Sequence, residues 1–164
     1  MAGYPPFTVR QPRPYDIVGD PVRASGIGTA FEGHFSARVR DGHGAQIAEV
    51  QVHAGGTGIW DNFDVSLPVG VPPTAQGTLE VFDVSQKDGS EVNKVVVPIT
   101  FGRALTDPYH GFAQHTVAGG DTLSSIAKKY YDNASKWPTI FEANRNQIHN
   151  PDVITVGQVL RIPQ

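Results

Sequence analysis

Between Phe7 and Phe101, apolar residues recur at every second position in short runs, and Gly, Pro or Asp interrupts each run. Phe35, Ala37 and Val39 alternate with His34, Ser36, Arg38 and Arg40; Ala48, Val50 and Val52 alternate with Glu49, Gln51 and His53. A period of two sends successive side chains to opposite faces, so both runs predict half-buried strands with one dry and one wet face. Asp41-Gly42 joins this pair, and Asp88-Gly89 joins Leu79–Val84 to Val92–Phe101. Both dipeptides tolerate the positive φ that a tight hairpin requires. Val95, Val97, Ile99 and Phe101 share a parity. Pro98 falls on the other parity and cannot donate a ladder bond, which predicts a sheet edge or a bulge there. Ile59, Phe63, Val65 and Leu67 predict a further strand, with Trp60 and Asp61 where its alternation loosens. About seven strands at this spacing predict a β-sandwich.

The period then changes. Arg103–Ala113 has none, contains Asp107-Pro108 and Gly111, and reads as a connection, with Tyr109 and Phe112 free to dock on either neighbour. Gln114–Val117 is strand-like, and Gly119-Gly120-Asp121-Thr122 announces a helix with Asp121 or Thr122 at its N-cap. Leu123, Ile126, Ala127 and Tyr130 form one apolar stripe, and the helix should end near Tyr131-Asp132-Asn133. A second helix follows Ser135, with Pro138 in its first turn and Trp137, Ile140, Phe141 and Asn144 inward. Asn150-Pro151-Asp152 breaks the chain before a last strand, Val159–Ile162. The expected organisation is therefore two domains: an all-β sandwich over residues 1–102, a linker over 103–113, and a small α+β (βααβ) unit over 114–164. So small a unit has little core to spare, which assigns Tyr130, Trp137 and Phe141 to packing.

Composition narrows the functional classes. The 164 residues include 18 Gly and 13 Pro, which favours turns over long helices, and no window is apolar enough for a membrane span. A formal net charge of −3 provides no basic patch for phosphates, so neither nucleic acid nor an anionic membrane surface is an expected partner. The absence of Cys removes disulfides, thiolate nucleophiles and Cys-ligated metals. Met1-Ala-Gly-Tyr4 lacks the basic start and apolar stretch of a secretory leader. The sequence as given thus leads one to expect a cytoplasmic or particle-associated protein, and an envelope-associated one if a leader precedes it.

Candidate chemistry in the first hundred residues is thin. Gly26, Gly28 and Gly33 form a glycine series, but no helix pattern follows to hold a phosphate. Asp83, Ser85, Asp88 and Glu91 match no calcium loop and read as a solvated hairpin. His34, His43 and His53 lack a third ligand or carboxylate at zinc spacing and read as exposed positions. Trp60 and Phe63 could stack on a sugar or partner, but core packing is the simpler reading for both. Asp61 and Asp64 lie too close in one strand to be argued as a glycosidase pair, and no zinc-protease motif or nucleophile elbow occurs. No enzyme activity, cofactor or metal site is expected.

Several short motifs carry resemblances. Val22-Arg-Ala-Ser-Gly-Ile-Gly-Thr-Ala-Phe-Glu-Gly33, Arg38-Val-Arg-Asp-Gly42, Gly58-Ile-Trp-Asp-Asn-Phe63 and Ser85-Gln-Lys-Asp-Gly89 together resemble the Gmad2 family. This resemblance implies an immunoglobulin-like accessory module, found in bacterial proteins some of which are linked to spore germination. His115-Thr-Val-Ala-Gly-Gly-Asp-Thr-Leu-Ser-Ser-Ile-Ala127, Ile140-Phe-Glu-Ala-Asn-Arg145 and Asn150-Pro-Asp-Val-Ile-Thr-Val-Gly-Gln-Val-Leu-Arg-Ile-Pro163 resemble the LysM domain. LysM resemblance implies binding of peptidoglycan or another N-acetylglucosamine polymer. Its groove maps here onto Gly120, Asp121, Thr122, Leu123 and Ser124 on one side and Asn150, Pro151, Asp152, Val153 and Ile154 on the other. An uncharged glycan needs no positive field, in keeping with five basic and five acidic residues over 107–164. The Trp137–Arg145 stretch and the ending are also similar to LysM domains of cytoplasmic two-domain bacterial proteins and of phage-tail-like baseplates. Docking in a contractile injection particle, or a cytoplasmic role with a protein or ion partner, is therefore the alternative. The sandwich is expected to supply any protein partner, and the oligomeric state stays open.

Overall fold

The computed structural model describes residues 4–164. The first three residues, part of the stretch read for a leader and of the 1–102 division, lie outside the described residues. The fold is mostly β-sheet with a few helices. Strands β1 (Phe7–Gln11), β3 (Val22–Gly28) and β6 (Asp61–Leu67) form one antiparallel sheet in the order β1-β3-β6. Strands β2 (Asp16–Val18), β4 (His34–Asp41), β5 (Gln46–His53), β7 (Gln76–Val84) and β8 (Glu91–Phe101) form a second in the order β2-β8-β7-β4-β5, with β2 parallel to β8. Phe7, Val22, Ala24, Phe63 and Leu67 of the first sheet share one buried cluster with Phe35, Ala37, Val39, Leu79, Val81, Val97, Ile99 and Phe101 of the second. At the middle of β3, a Cβ on Gly26 would collide with the Thr8 carbonyl and the Phe63 ring, so only glycine lets β1 approach this closely.

Several local expectations change. Ser36 and Arg38, expected on a wet face, are 2% and 4% exposed. The Arg38 guanidinium lies 4.3 Å over the Phe82 ring and donates to Glu80 and Glu91, so countercharges roof that face of β4. The first hairpin turns over 42–45 with positive φ at Gly44, not Gly42, because the Asp41 carboxylate accepts from the His43 and Ala45 N–H groups. Pro98 lies neither at an edge nor at a bulge: β8 runs between β2 and β7, and the register shift falls near Asn93, whose φ is 57°. Proline is tolerated there because its carbonyl accepts from Tyr15 N–H on the side where β2, only three residues long, begins to pair. Ile59 and Trp60 precede β6 rather than belonging to it, and their side chains are 67% and 43% exposed. Core packing thus holds for Phe63 but not for Trp60.

The remainder is built from β9 (Phe112–Thr116), α2 (Leu123–Tyr131), a 3₁₀ turn (Ala134–Lys136), α3 (Trp137–Ala143) and β10 (Val159–Pro163). β9 and β10 pair antiparallel. Val117, Leu123, Ile126, Ala127, Ile140, Ile148, Leu160 and Ile162 make its own core, with Tyr130, Trp137 and Phe141 packed at the margin. Wholly buried Asn144 donates to the carbonyls of Ile140 and Arg161 and accepts from Arg161 N–H, tying the end of α3 to β10.

The connecting segment, expected to be irregular, contains a short helix, α1 (Gly102–Leu105), that touches α3. Tyr109 lies flat against Gly102, where a Cβ would occupy the ring's position. Across the two units, Gln76 Nε2 donates to the carbonyl and carboxylate of Glu142 at 2.9 Å each, and Arg161 Nη2 donates to the Tyr15 carbonyl at 3.1 Å.

Candidate functional site

The N-terminus of α2 and the loop over 150–154 face each other across a cleft of about 310 Å³. Asp121, Thr122, Leu123, Ser124, Pro151, Asp152 and Ile154 line it together with Trp137. Gly120, Asn150 and Val153, expected in the same groove, do not line it. Gly120 turns the chain at φ 87°, and Asn150 folds inward on its own loop, its side chain and carbonyl accepting from Asp152 and Val153 N–H. Val153 points to solvent, 62% exposed.

Two of the polar side chains are already committed. Thr122 is the N-cap, its hydroxyl accepting from Ser125 N–H at 3.1 Å while Ser125 Oγ accepts from Thr122 N–H at 2.9 Å, a reciprocal capping box. Asp121 instead braces the preceding turn, one oxygen accepting from Ala118 N–H at 2.9 Å and from His115 Nε2 at 2.8 Å. These bonds, the Ala118 N–H first, hold the Asp121 carboxyl below the ordinary carboxylate range. Buried His115 in turn meets the Tyr130 hydroxyl at 3.2 Å, so the loop is locked to the back of α2.

What is left for a ligand is specific. Among the described residues, no acceptor reaches the N–H groups of Leu123 and Ser124 in the first turn of α2. Leu123, 3% exposed, forms an apolar floor that Ile154 and half-buried Trp137 extend as walls. Exposed Asp152 offers a carboxylate on the opposite rim, bonded to no side chain among the described residues. Main-chain donors beside an apolar slot can hold an acetamido group by its carbonyl and methyl, with a rim acceptor for a hydroxyl. Trp137 is the lining residue that sequence reading assigned to packing alone. Its three-residue spacing from Ile140 marks the core stripe, and no local pattern in the sequence places it beside the 150–154 loop.

Other candidates do not converge. His34 and His53 face each other across β4 and β5 with ring centroids 4.5 Å apart, whereas His43 sits in the hairpin. Among the described residues, no three or more His, Asp or Glu side chains are grouped to hold a metal ion, and no helix is long and apolar enough to cross a membrane. Asp88 accepts from Ser90 and Glu91 pairs with Arg38, so the acidic hairpin residues serve the turn and the sheet.

Residues 7–90 match Gmad2, the immunoglobulin-like domain of bacterial spore germination, and residues 115–163 match the LysM domain. The potassium binding protein Kbp of Escherichia coli is 37% identical over 127 residues, covering 73% of this chain and 82% of that protein. The esterase Rv1288 of Mycobacterium tuberculosis is 45% identical over 64 residues, which are 39% of this chain but 13% of the esterase. An uncharacterized protein of Deinococcus radiodurans is 47% identical over 53 residues, 20% of its length. No solved structure matches the chain.

Proposed function

Because the chain belongs to the Gmad2 immunoglobulin-like family and carries a LysM domain behind that module, we propose that it is a non-catalytic protein that binds peptidoglycan or another N-acetylglucosamine polymer through the LysM cleft. In this reading the two-sheet unit is an immunoglobulin-like sandwich serving as accessory domain through residue 102, 103–113 is the connection, and the βααβ unit from 114 is the binding domain. The single observation that carries it is the pair of unbonded N–H groups of Leu123 and Ser124 above an apolar floor of Leu123, Ile154 and Trp137. The acetamide carbonyl takes the main-chain donors, its methyl takes the floor, and Asp152 accepts from a sugar hydroxyl. Such a shallow site binds a short oligosaccharide with a Kd on the order of millimolar to micromolar, about −4 to −8 kcal/mol. Retention on a polymer then gains from several copies acting together.

The test is an NMR titration of the full chain with N-acetylglucosamine oligomers, alongside retention on purified peptidoglycan. Expected are shifts confined to residues 121–124, 137 and 151–154, with Asp152→Ala weakening binding about tenfold, as loss of one hydrogen bond to a charged acceptor should. Absence of shifts at millimolar sugar would overturn the glycan reading and leave docking of the domain on a protein.

A second reading is favoured by the similarity to Kbp: an ion-responsive protein that binds potassium. Hard cations take oxygen ligands, including backbone carbonyls, which every loop supplies. Replacing choline chloride by potassium chloride at constant ionic strength would raise the unfolding temperature in this case and leave it unchanged in the first.

A further inference from the structure

A second cleft, of about 510 Å³, opens where the two units meet, and we propose that it binds a small organic oxyanion: a carboxylate or phosphate carried on an apolar body. Arg161 reaches it from the face of β10 turned away from the second core, and Arg23 reaches it from β3. Among the described residues, the Arg161 guanidinium is anchored by one nitrogen only. Its Nη2 donates to the carbonyls of Tyr15 and Ala143 and to Asn146 Oδ1, while its Nε is buried without an acceptor. Among the described residues, no acceptor reaches its Nη1, and no carboxylate lies within ion-pair distance of Arg161 or Arg23. Carbonyl dipoles orient a guanidinium without neutralising it, and a charge taken out of water calls for a counter-ion. Burial accordingly makes Arg161 less basic than an exposed arginine.

The surroundings leave that counter-ion to a ligand. Asp16 stands on the same wall, but its carboxylate accepts from Arg13 N–H at 2.8 Å and sets one negative charge against two positive ones. The rest of the lining includes Ile17, Val18 and Phe112, the last 45% exposed with the Arg161 guanidinium 6.0 Å from its ring centroid. An arginine with a free donor beside an aromatic ring and aliphatic side chains fits an anionic head group on an apolar body. The residues differ from those of the LysM cleft, so either assignment can fail without the other.

The experiment titrates the ¹⁵N-labelled full chain with benzoate, phenyl phosphate and, as an uncharged control, benzyl alcohol. Expected are saturable amide shifts at residues 16–20, 22, 23, 112 and 161 with at least one anion and none with the alcohol. The anion that binds more tightly identifies the head group as carboxylate or phosphate. Arg23→Ala, an exposed change, should weaken anion binding about tenfold with the unfolding temperature unchanged, as removal of one charged hydrogen bond predicts. Arg161→Gln should abolish it; if that variant fails to fold, Arg23→Ala carries the test. Equal shifts from the alcohol, no shifts from either anion at about 20 mM, a concentration that reveals even weak sites, or undiminished binding by Arg23→Ala would each overturn the proposal.

Discussion

Arg38 gathers three carboxylates on one face of the larger sheet: Glu80 and Glu91 at hydrogen-bond distance and Glu49 at 3.7 Å. A guanidinium that is 4% exposed is stable there only because its donors are filled and its charge is balanced. Truncation by Arg38→Ala leaves Glu80, 8% exposed, with only the longer contacts to Arg40 at 3.3 Å and Lys94 at 3.8 Å, and should cost about 3 kcal/mol in urea unfolding. Acid attacks the same cluster. Arg38 and then Lys94 hold the Glu91 carboxyl at about 2, against an ordinary value of 4.5. The unfolded chain thus takes up this proton first, so the stabilisation is complete above pH 4.5 and is lost as pH falls toward 2. Unfolding followed from pH 6 to 2 should show a stability slope that Glu91→Gln flattens. Aromatic residues divide in the same way by surroundings: Phe63 is buried, whereas Trp60 lies against Tyr4 and donates to the Pro5 carbonyl at the surface.

The α2 helix owes its start to a two-residue exchange between Thr122 and Ser125 and its end to Asp132 at φ 52°. Thr122→Ala removes the hydroxyl acceptor and should destabilise the second unit by about 1 kcal/mol, read as a lowered midpoint in thermal unfolding. The same change frees Ser125 N–H beside the cleft, so sugar titration should alter with it. Helix positions were legible because a 3.6-residue stripe and a cap pattern are local, and so were most strands from their period of two. Which of Asp121 and Thr122 caps the helix was not legible, since both carry suitable oxygens; the choice follows from His115, which draws Asp121 back across the turn. Nor was the burial of β4 on both faces, because alternation describes one strand and not the neighbours β5 and β7 that flank it. Trp137 likewise belongs to the core stripe by spacing and to the cleft by the fold of a loop thirteen or more residues later.

Two separate apolar cores are joined by α1, by Tyr109 against Gly102, and by bonds from Gln76 and Arg161 across the junction. Few contacts hold the units together, and one of the tightest requires glycine at 102. Gly102→Leu should displace Tyr109 and release the junction. ¹⁵N relaxation should then change from one rotational correlation time for the chain to two, with both cores intact by chemical-shift dispersion. Ligand binding at the Arg161 cleft should be weakened in the same variant, whereas sugar binding at the α2 cleft should be unaffected.

Motif order established the Gmad2 and LysM identities, and with them the binding character of the chain, because those patterns are written in contiguous residues. Local periodicity likewise carried the division between sheet-rich and helix-bearing halves. The tertiary structure alone decided which polar groups are spent and which stay available. Thr122 and Asp121 are consumed by the turn, while among the described residues the Leu123 and Ser124 N–H groups, Asp152 and Arg161 keep hydrogen-bonding capacity unused. That allocation depends on partners far apart in the chain, such as Tyr15 for Arg161, and hydrogen-bond satisfaction is a property of the assembled whole.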